Sequence, residues 1–241
     1  MSYTVIAAAT AMLISLLIGS GAHQDTPMTH QERTVVGIDH IIVAISDLQD
    51  GIRQVEEMTG VRPVYGGRHP GAGTQNALIA LGPRSYLEIL APQTDVVLSE
   101  TLAWLLDLHD LTPMGFAVST TDMEGTVASL QGGGYATSVP TPGSRSRPDG
   151  VTLMWTSMDI TDPAIVGAPF FIQWDASSPH PATTSPSGCV LQSLTIVSPE
   201  HAPLGRLFNL LGLTVAVAGG TDSEAAYEAA IECPNGTVLL K

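Results

Sequence analysis

Gly37-Ile38-Asp39-His40-Ile41-Ile42-Val43-Ala44-Ile45-Ser46-Asp47-Leu48 opens the ordered-looking part of the chain, and Thr74-Gln75-Asn76-Ala77-Leu78-Ile79-Ala80-Leu81-Gly82-Pro83-Arg84-Ser85-Tyr86-Leu87-Glu88-Ile89-Leu90 follows a short way on. Both are apolar and strand-like, yet each holds one chemically capable side chain, His40 in the first and Glu88 in the second. An imidazole or a carboxylate is tolerated in such surroundings only when hydrogen-bonded, paired or bound to a metal. Strand alternation sets Tyr86, Glu88 and Leu90 on one face and Leu87 and Ile89 on the other.

Between the two runs, Ser46-Asp47-Leu48-Gln49 has the pattern of a capping box, and Leu48, Ile52, Val55 and Met58 follow at helical spacing up to Gly60. Strands are expected at Val61 to Tyr65, Ala77 to Leu81 and Ser85 to Leu90, with a glycine-rich loop from Gly66 to Gly73. The order is β-α-β-β-β, and it recurs. A second capping box, Thr121-Asp122-Met123-Glu124, follows the strand-like Gly115 to Thr120. Its helix carries Met123, Val127 and Leu130, and strands are expected at Tyr135 to Val139, Val151 to Met158 and Phe170 to Trp174. A third copy opens at Val190 to Val197, with Ser198 as N-cap and Pro199 at the first helical position. Its helix presents Leu204, Leu207, Phe208 and Leu211, and Asn235-Gly236 marks a closing hairpin. Helix starts recur roughly every 75 residues, too long a period and too few copies for a solenoid. The reading is therefore a paired unit over 35–175, a Pro/Ser/Thr-rich linker over 176–187 and a third βαβββ-like module over 188–241.

Of 241 residues, 44% are hydrophobic and 13% charged, which describes a globular chain with ample core. A net charge of −14 with 9 Lys plus Arg excludes a nucleic-acid-binding face and leaves a small-molecule partner. Residues 4–18 form an apolar run too short for a membrane span, followed by small residues as in a signal peptide. Two readings stay open: residues 1–22 as an export signal, or a cytoplasmic protein starting near Met28, with residues 1–33 outside the fold either way. Cys189 and Cys233 permit one disulfide or two buried thiols.

Gly37-Ile38-Asp39-His40, His69-Pro70-Gly71-Ala72-Gly73-Thr74-Gln75-Asn76, Leu81-Gly82 and Tyr86-Leu87-Glu88-Ile89 together resemble the glyoxalase-like branch of the vicinal oxygen chelate superfamily. The likeness is close over 37–92, looser over 113–175 and topological beyond 188. It implies an α+β fold of the glyoxalase/bleomycin-resistance kind, in which repeated βαβββ modules form a curved mixed sheet around a cup, with helices outside. It also implies a divalent metal (Zn, Mn, Fe, Co or Ni) held in the cup by residues of the first and last strands. By position these are His40 and Glu88 in the first module. Counting back from Asp122 puts Gly115 opposite His40, and matching Phe171-Ile172-Gln173 to Tyr86-Leu87-Glu88 makes Gln173 the third ligand. One glycine and one amide in place of ligands weaken the set, since a catalytic zinc usually takes three protein ligands.

Glu88 is the expected proton-moving group, its carboxyl raised if it is buried without a partner. Asn76, Thr74 and Trp174 are expected ligand contacts. Trp155 belongs to the core or cup wall, and Trp104 to the apolar face of a helix over 101–108. His69, before a proline in the loop, reads as a solvated or capping side chain, and His180, His109 and His201 fall in linkers or at helix ends without ligand spacing. Three functions compete: a glyoxalase-like isomerase, lyase or dioxygenase acting on a small oxygenated molecule; a metal-free sequestration protein of the same fold; and, for the third module, assembly into a homodimer.

Overall fold

The computed structural model describes residues 35–241, so the signal-like segment and the alternative start at Met28 lie outside the described residues. Strand β1 (Val35–Ala44) runs into helix α1 (Leu48–Thr59), and β2 (Val64–His69), β3 (Thr74–Ala80) and β4 (Tyr86–Pro92) complete the first module. A 3-10 helix, Glu100–Asp107, leads to the second module: β5 (Thr112–Thr120), α2 (Met123–Gly132), β6 (Thr141–Ser146), β7 (Thr152–Asp159) and β8 (Phe170–Trp174). The two helices start one residue later than the capping boxes predict. Asp47 and Asp122 are the N-caps, their carboxylates accepting from Asp50 N and Gly125 N.

These eight strands form one mixed sheet in the order β2-β3-β4-β1-β5-β8-β7-β6. Within each module the first strand pairs parallel with the last, and β1 pairs antiparallel with β5 to join the modules. The sheet curls into a nearly closed barrel, and its outer strands meet where Arg145 on β6 donates to Gly66 O on β2. Alternation then sorts the side chains. Ile41, Val43, Leu87, Ile89, Phe116 and Phe171 go outward into the core under the helices, while His40, Glu88, Phe170 and Ile172 line the interior.

The third unit is β9 (Val190–Ser198), α3 (His201–Leu211), β10 (Ala216–Gly219), β11 (Ala226–Cys233) and β12 (Gly236–Leu240). It keeps the element order of the other two but not their pairing. The first strand, β9, lies parallel to β10 and antiparallel to β11, in a separate sheet ordered β10-β9-β11-β12. In the barrel modules the strand after the helix crosses to the far edge and closes the cup; β10 instead stays beside its predecessor and is largely exposed. Helix α3 has no side-chain cap. Ser198 Oγ, the expected cap, accepts from Glu200 N and donates to Val166 O, so it ties the third unit to the second module.

The third unit packs on the outer face of the barrel and shares its core, with Phe116 edge-on to Phe208 and Tyr227. The described residues through Lys241 belong to one compact unit, so this module does not stand apart. Asn235 sits on the end of α1, donating from N to Thr59 O at 3.3 Å and from Nδ2 to Glu57 O at 3.1 Å. Gly60, left-handed at φ 74°, is required there, because a Cβ would lie 2.7 Å from Asn235 Oδ1. The segment after β8 is a plug rather than a free linker. Its short 3-10 turn, Pro181–Thr183, puts Ala182 against Leu78, Ala80 and Tyr86 at one end of the barrel.

Cys189 and Cys233 are joined, bridging the ends of β9 and β11 across 44 residues of sequence. A loop of that length stabilises the folded state by about 2–4 kcal/mol through restriction of the unfolded chain. Replacing both cysteines by serine should lower the denaturant midpoint accordingly, and unchanged unfolding curves with and without reductant would contradict this.

Candidate functional site

Asp39 and His40 are neighbours on β1, so regular alternation would send them to opposite faces. The register slips between Ile38 and His40, where three residues face Val118 and Ala117 of β5, and both side chains thereby reach the barrel interior. Asp39 is wholly buried, at 0% exposure, and holds three neighbours at once. Its Oδ1 lies 2.8 Å from His40 Nδ1; its Oδ2 accepts from Trp174 Nε1 at 3.0 Å and from His180 Nε2 at 3.1 Å. Burial pushes the carboxyl pKa up, but the hydrogen bonds from His180 and His40 more than reverse this and bring it to about 2. An ionised carboxylate only accepts. His40 Nδ1 and His180 Nε2 must therefore carry protons, in keeping with His180 Nδ1 accepting from Ala182 N.

A second chain of hydrogen bonds arrives from β2, β3 and β4. Asn76 Nδ2 donates to Glu88 Oε1 at 2.7 Å and lies 3.2 Å from His69 Nε2, while His69 Nδ1 lies 3.0 Å from Thr74 Oγ1. With both amide hydrogens used in this way, His69 is the neutral tautomer protonated on Nδ1, and burial lowers its pKa accordingly. Burial raises the Glu88 carboxyl, but the neighbouring rings of His40 and His69, the Asn76 hydrogen bond and the Arg145 charge pull it below its ordinary value. The raised carboxyl expected of an unpartnered Glu88 is thus replaced by an ionised one, because partners surround it.

The two chains meet at His40 Nε2, which stands 3.4 Å from Glu88 Oε2. With Nδ1 carrying the proton that bonds Asp39, a neutral His40 turns a lone pair toward an ionised oxygen. One proton at this junction would complete the network. The junction opens on a cup of about 580 Å³ whose apolar wall includes Phe170, Ile172, Leu90 and Trp155, with Tyr86 stacked on the His40 ring at 4.5 Å between centroids.

Of the side chains expected to act, His40, Glu88, Asn76, Thr74 and Trp174 line this cavity. Gln173 does not. Its Oε1 accepts from Met123 N at 2.7 Å, so it satisfies the start of α2 on the opposite face of β8. The register shows why the alignment failed. His40 pairs with Tyr86 as Ala117 pairs with Phe170, so Ala117 stands in the place of His40 and Ile172 in that of Glu88. Neither offers a donor atom, and Gly115 is not the counterpart.

The donors therefore do not make the three-ligand set that the resemblance implies for a divalent metal. Among the described residues no group of three or more His, Cys, Asp or Glu side chains is placed to hold one, and Glu88 Oε1 is already taken by an amide hydrogen. Three residues that sequence reading passed over belong to the site. Asp39 adjoins a motif histidine but looks inward only because of the bulge; His69 is the last residue of β2 rather than a loop residue; His180 rides on the plug. Trp104, by contrast, is 41% exposed and outside the cup, and Leu105 is the side chain its helix buries.

A curved barrel of two βαβββ modules around an internal histidine–carboxylate site places the chain in the vicinal oxygen chelate superfamily. Residues 38–211 match the model of a glyoxalase-like domain, and the chain belongs to that family. A crystal structure of a hypothetical protein from Staphylococcus aureus is 17% identical, with a TM-score of 0.55, over 85% of this chain and 84% of that one. Methylmalonyl-CoA epimerase from Mycobacterium tuberculosis is 20% identical, TM-score 0.42, over 59% of this chain and 89% of its own. The Streptomyces coelicolor epimerase in complex with 2-nitronate-propionyl-CoA is 19% identical, TM-score 0.42, over 60% and 99%. No curated protein matches the sequence significantly.

A depressed carboxyl pKa contributes stability that is present above the unfolded value of 3.8 and is lost as pH falls toward 2. For Asp39 the contribution is about 2 kcal/mol. Wild type should lose that much more stability than Asp39→Asn between pH 5 and pH 2, measured by denaturant unfolding; parallel pH dependences would contradict it.

Proposed function

We propose that the chain is a glyoxalase-like enzyme that moves a proton on a small oxygenated molecule, at a carbon next to a carbonyl, in an isomerase, epimerase or lyase reaction. The observation that carries this reading is the open proton position between His40 Nε2 and Glu88 Oε2 at the wall of an apolar cup. A substrate C–H presented there would give its proton to Nε2, and the resulting imidazolium would be bracketed by the ionised carboxylates of Asp39 and Glu88. Asp39 keeps the ring in the tautomer that leaves Nε2 free and is the positioning residue, as an aspartate is in a hydrolase triad. Glu88, held by Asn76, shares the proton and returns it. No step requires a metal, and the donor set is short of one.

The apolar, aromatic wall also supports a second reading, a sequestration protein that binds a neutral or cationic small molecule without turnover. Catalysis separates the two. In D2O, carbonyl compounds offered as a panel of 2-oxo acids, hydroxyketones and acyl thioesters should exchange the adjacent hydrogen in the presence of protein dialysed against chelator. His40→Asn and Glu88→Gln should each slow that exchange by about 10²–10⁴-fold. Exchange that survives both substitutions, or that disappears on chelation and returns with a divalent metal, would overturn the proposal. Saturable binding without exchange would favour the second reading.

A further inference from the structure

A second, smaller cavity of about 180 Å³ lies beside the plug after β8, which contributes Pro181, Thr184 and Ser185 to its lining. Its walls are mostly hydrocarbon, with Val64, Leu78, Leu153 and Pro181 among them. Into this apolar space comes the guanidinium of Arg145, a residue only 3% exposed. One of its N–H groups donates to Gly66 O. The others have no hydrogen-bond partner among the described residues and are not sealed from solvent. Arg145 also makes no salt bridge to any described carboxylate in a chain carrying 23 acidic residues; the one acid lining the cavity, Asp149, is paired with Arg147 at 2.7 Å.

Glu88 acts on this charge through space, but no described carboxylate bonds it, so its spare donors are open to an acceptor of opposite charge. A guanidinium presents paired N–H groups in a plane that matches a carboxylate. The mostly hydrocarbon lining suits a short alkyl chain. We propose that this cavity binds the carboxylate of a small molecule with a short hydrocarbon chain, Arg145 taking the charged end and the walls of β2, β3 and β7 the chain. Its lining residues are not those of the cup, although the Arg145 charge reaches Glu88, and the proposal does not depend on the reaction proposed there.

The test is calorimetric titration of the full chain with sodium butyrate and, as a neutral isostere, butyramide. Butyrate should bind saturably, and butyramide at least tenfold more weakly. Arg145→Met should lose butyrate binding by at least tenfold. Because Arg145 also ties β6 to β2, a folding defect there is covered by Ser185→Phe, which keeps the guanidinium and fills the cavity from the plug; it should lose binding to the same extent. No saturable butyrate binding, equal affinity for acid and amide, or undiminished binding in Ser185→Phe would overturn the proposal. Binding lost in His40→Asn but kept in Ser185→Phe would also do so, since it would put the ligand in the cup.

Discussion

The buried carboxylate of Asp39 is the interaction on which the rest of the site depends. It ties three parts of the chain together: the ring of His40 on β1, the indole of Trp174 at the end of β8, and His180 on the plug. A wholly buried charge is tolerable only with such a complement of donors, since leaving one out would expose the full desolvation cost. The same bonds that keep Asp39 ionised decide which nitrogen of His40 is free. Local stability and the tautomer of His40 are thus set by one group, and the plug is part of both.

The barrel is pseudo-symmetric in backbone but not in chemistry. All the proton-carrying groups of the junction come from the first module, whereas Ala117 and Ile172 occupy the matching places of the second. The second module contributes wall instead, in Phe170, Ile172 and Trp155, and a steadying hydrogen bond from Trp174. An arrangement with donors on one side only cannot encircle a metal ion from both modules, but it can set a base against one face of a substrate lying on an apolar wall. The third unit adds no group to the cup. It covers the outside of the sheet and is stitched there by Asn235, Ser198 and a shared core.

Much of this was legible in the residues. Apolar runs, helix faces and glycine stops placed α1, α2 and α3 within a few residues, because those signals are local. Alternation along β4 was enough to set Glu88 and Tyr86 on one face, and the polar residues inside apolar strands marked where the interior would be. What failed was register. Gln173 was matched to Glu88 by likeness of letters, Phe-Ile-Gln to Tyr-Leu-Glu, and a shift of one residue sends a strand side chain to the other face. The bulge at Asp39 leaves no mark in composition, and His180 sits among prolines and serines that read as linker until tertiary packing folds them under the barrel. The strand predicted over 135–139 formed later, at Thr141–Ser146, because pairing with β7 rather than local propensity chose it.

The central claim is that Asp39 fixes the tautomer of His40, leaving Nε2 bare beside Glu88. The 15N chemical shifts of the His40 ring, recorded at a pH where the imidazole is neutral, report this directly. The account predicts a protonated Nδ1 and an unprotonated Nε2 in the wild-type protein. A proton on Nε2 with a bare Nδ1, or rapid averaging between the two, would contradict it.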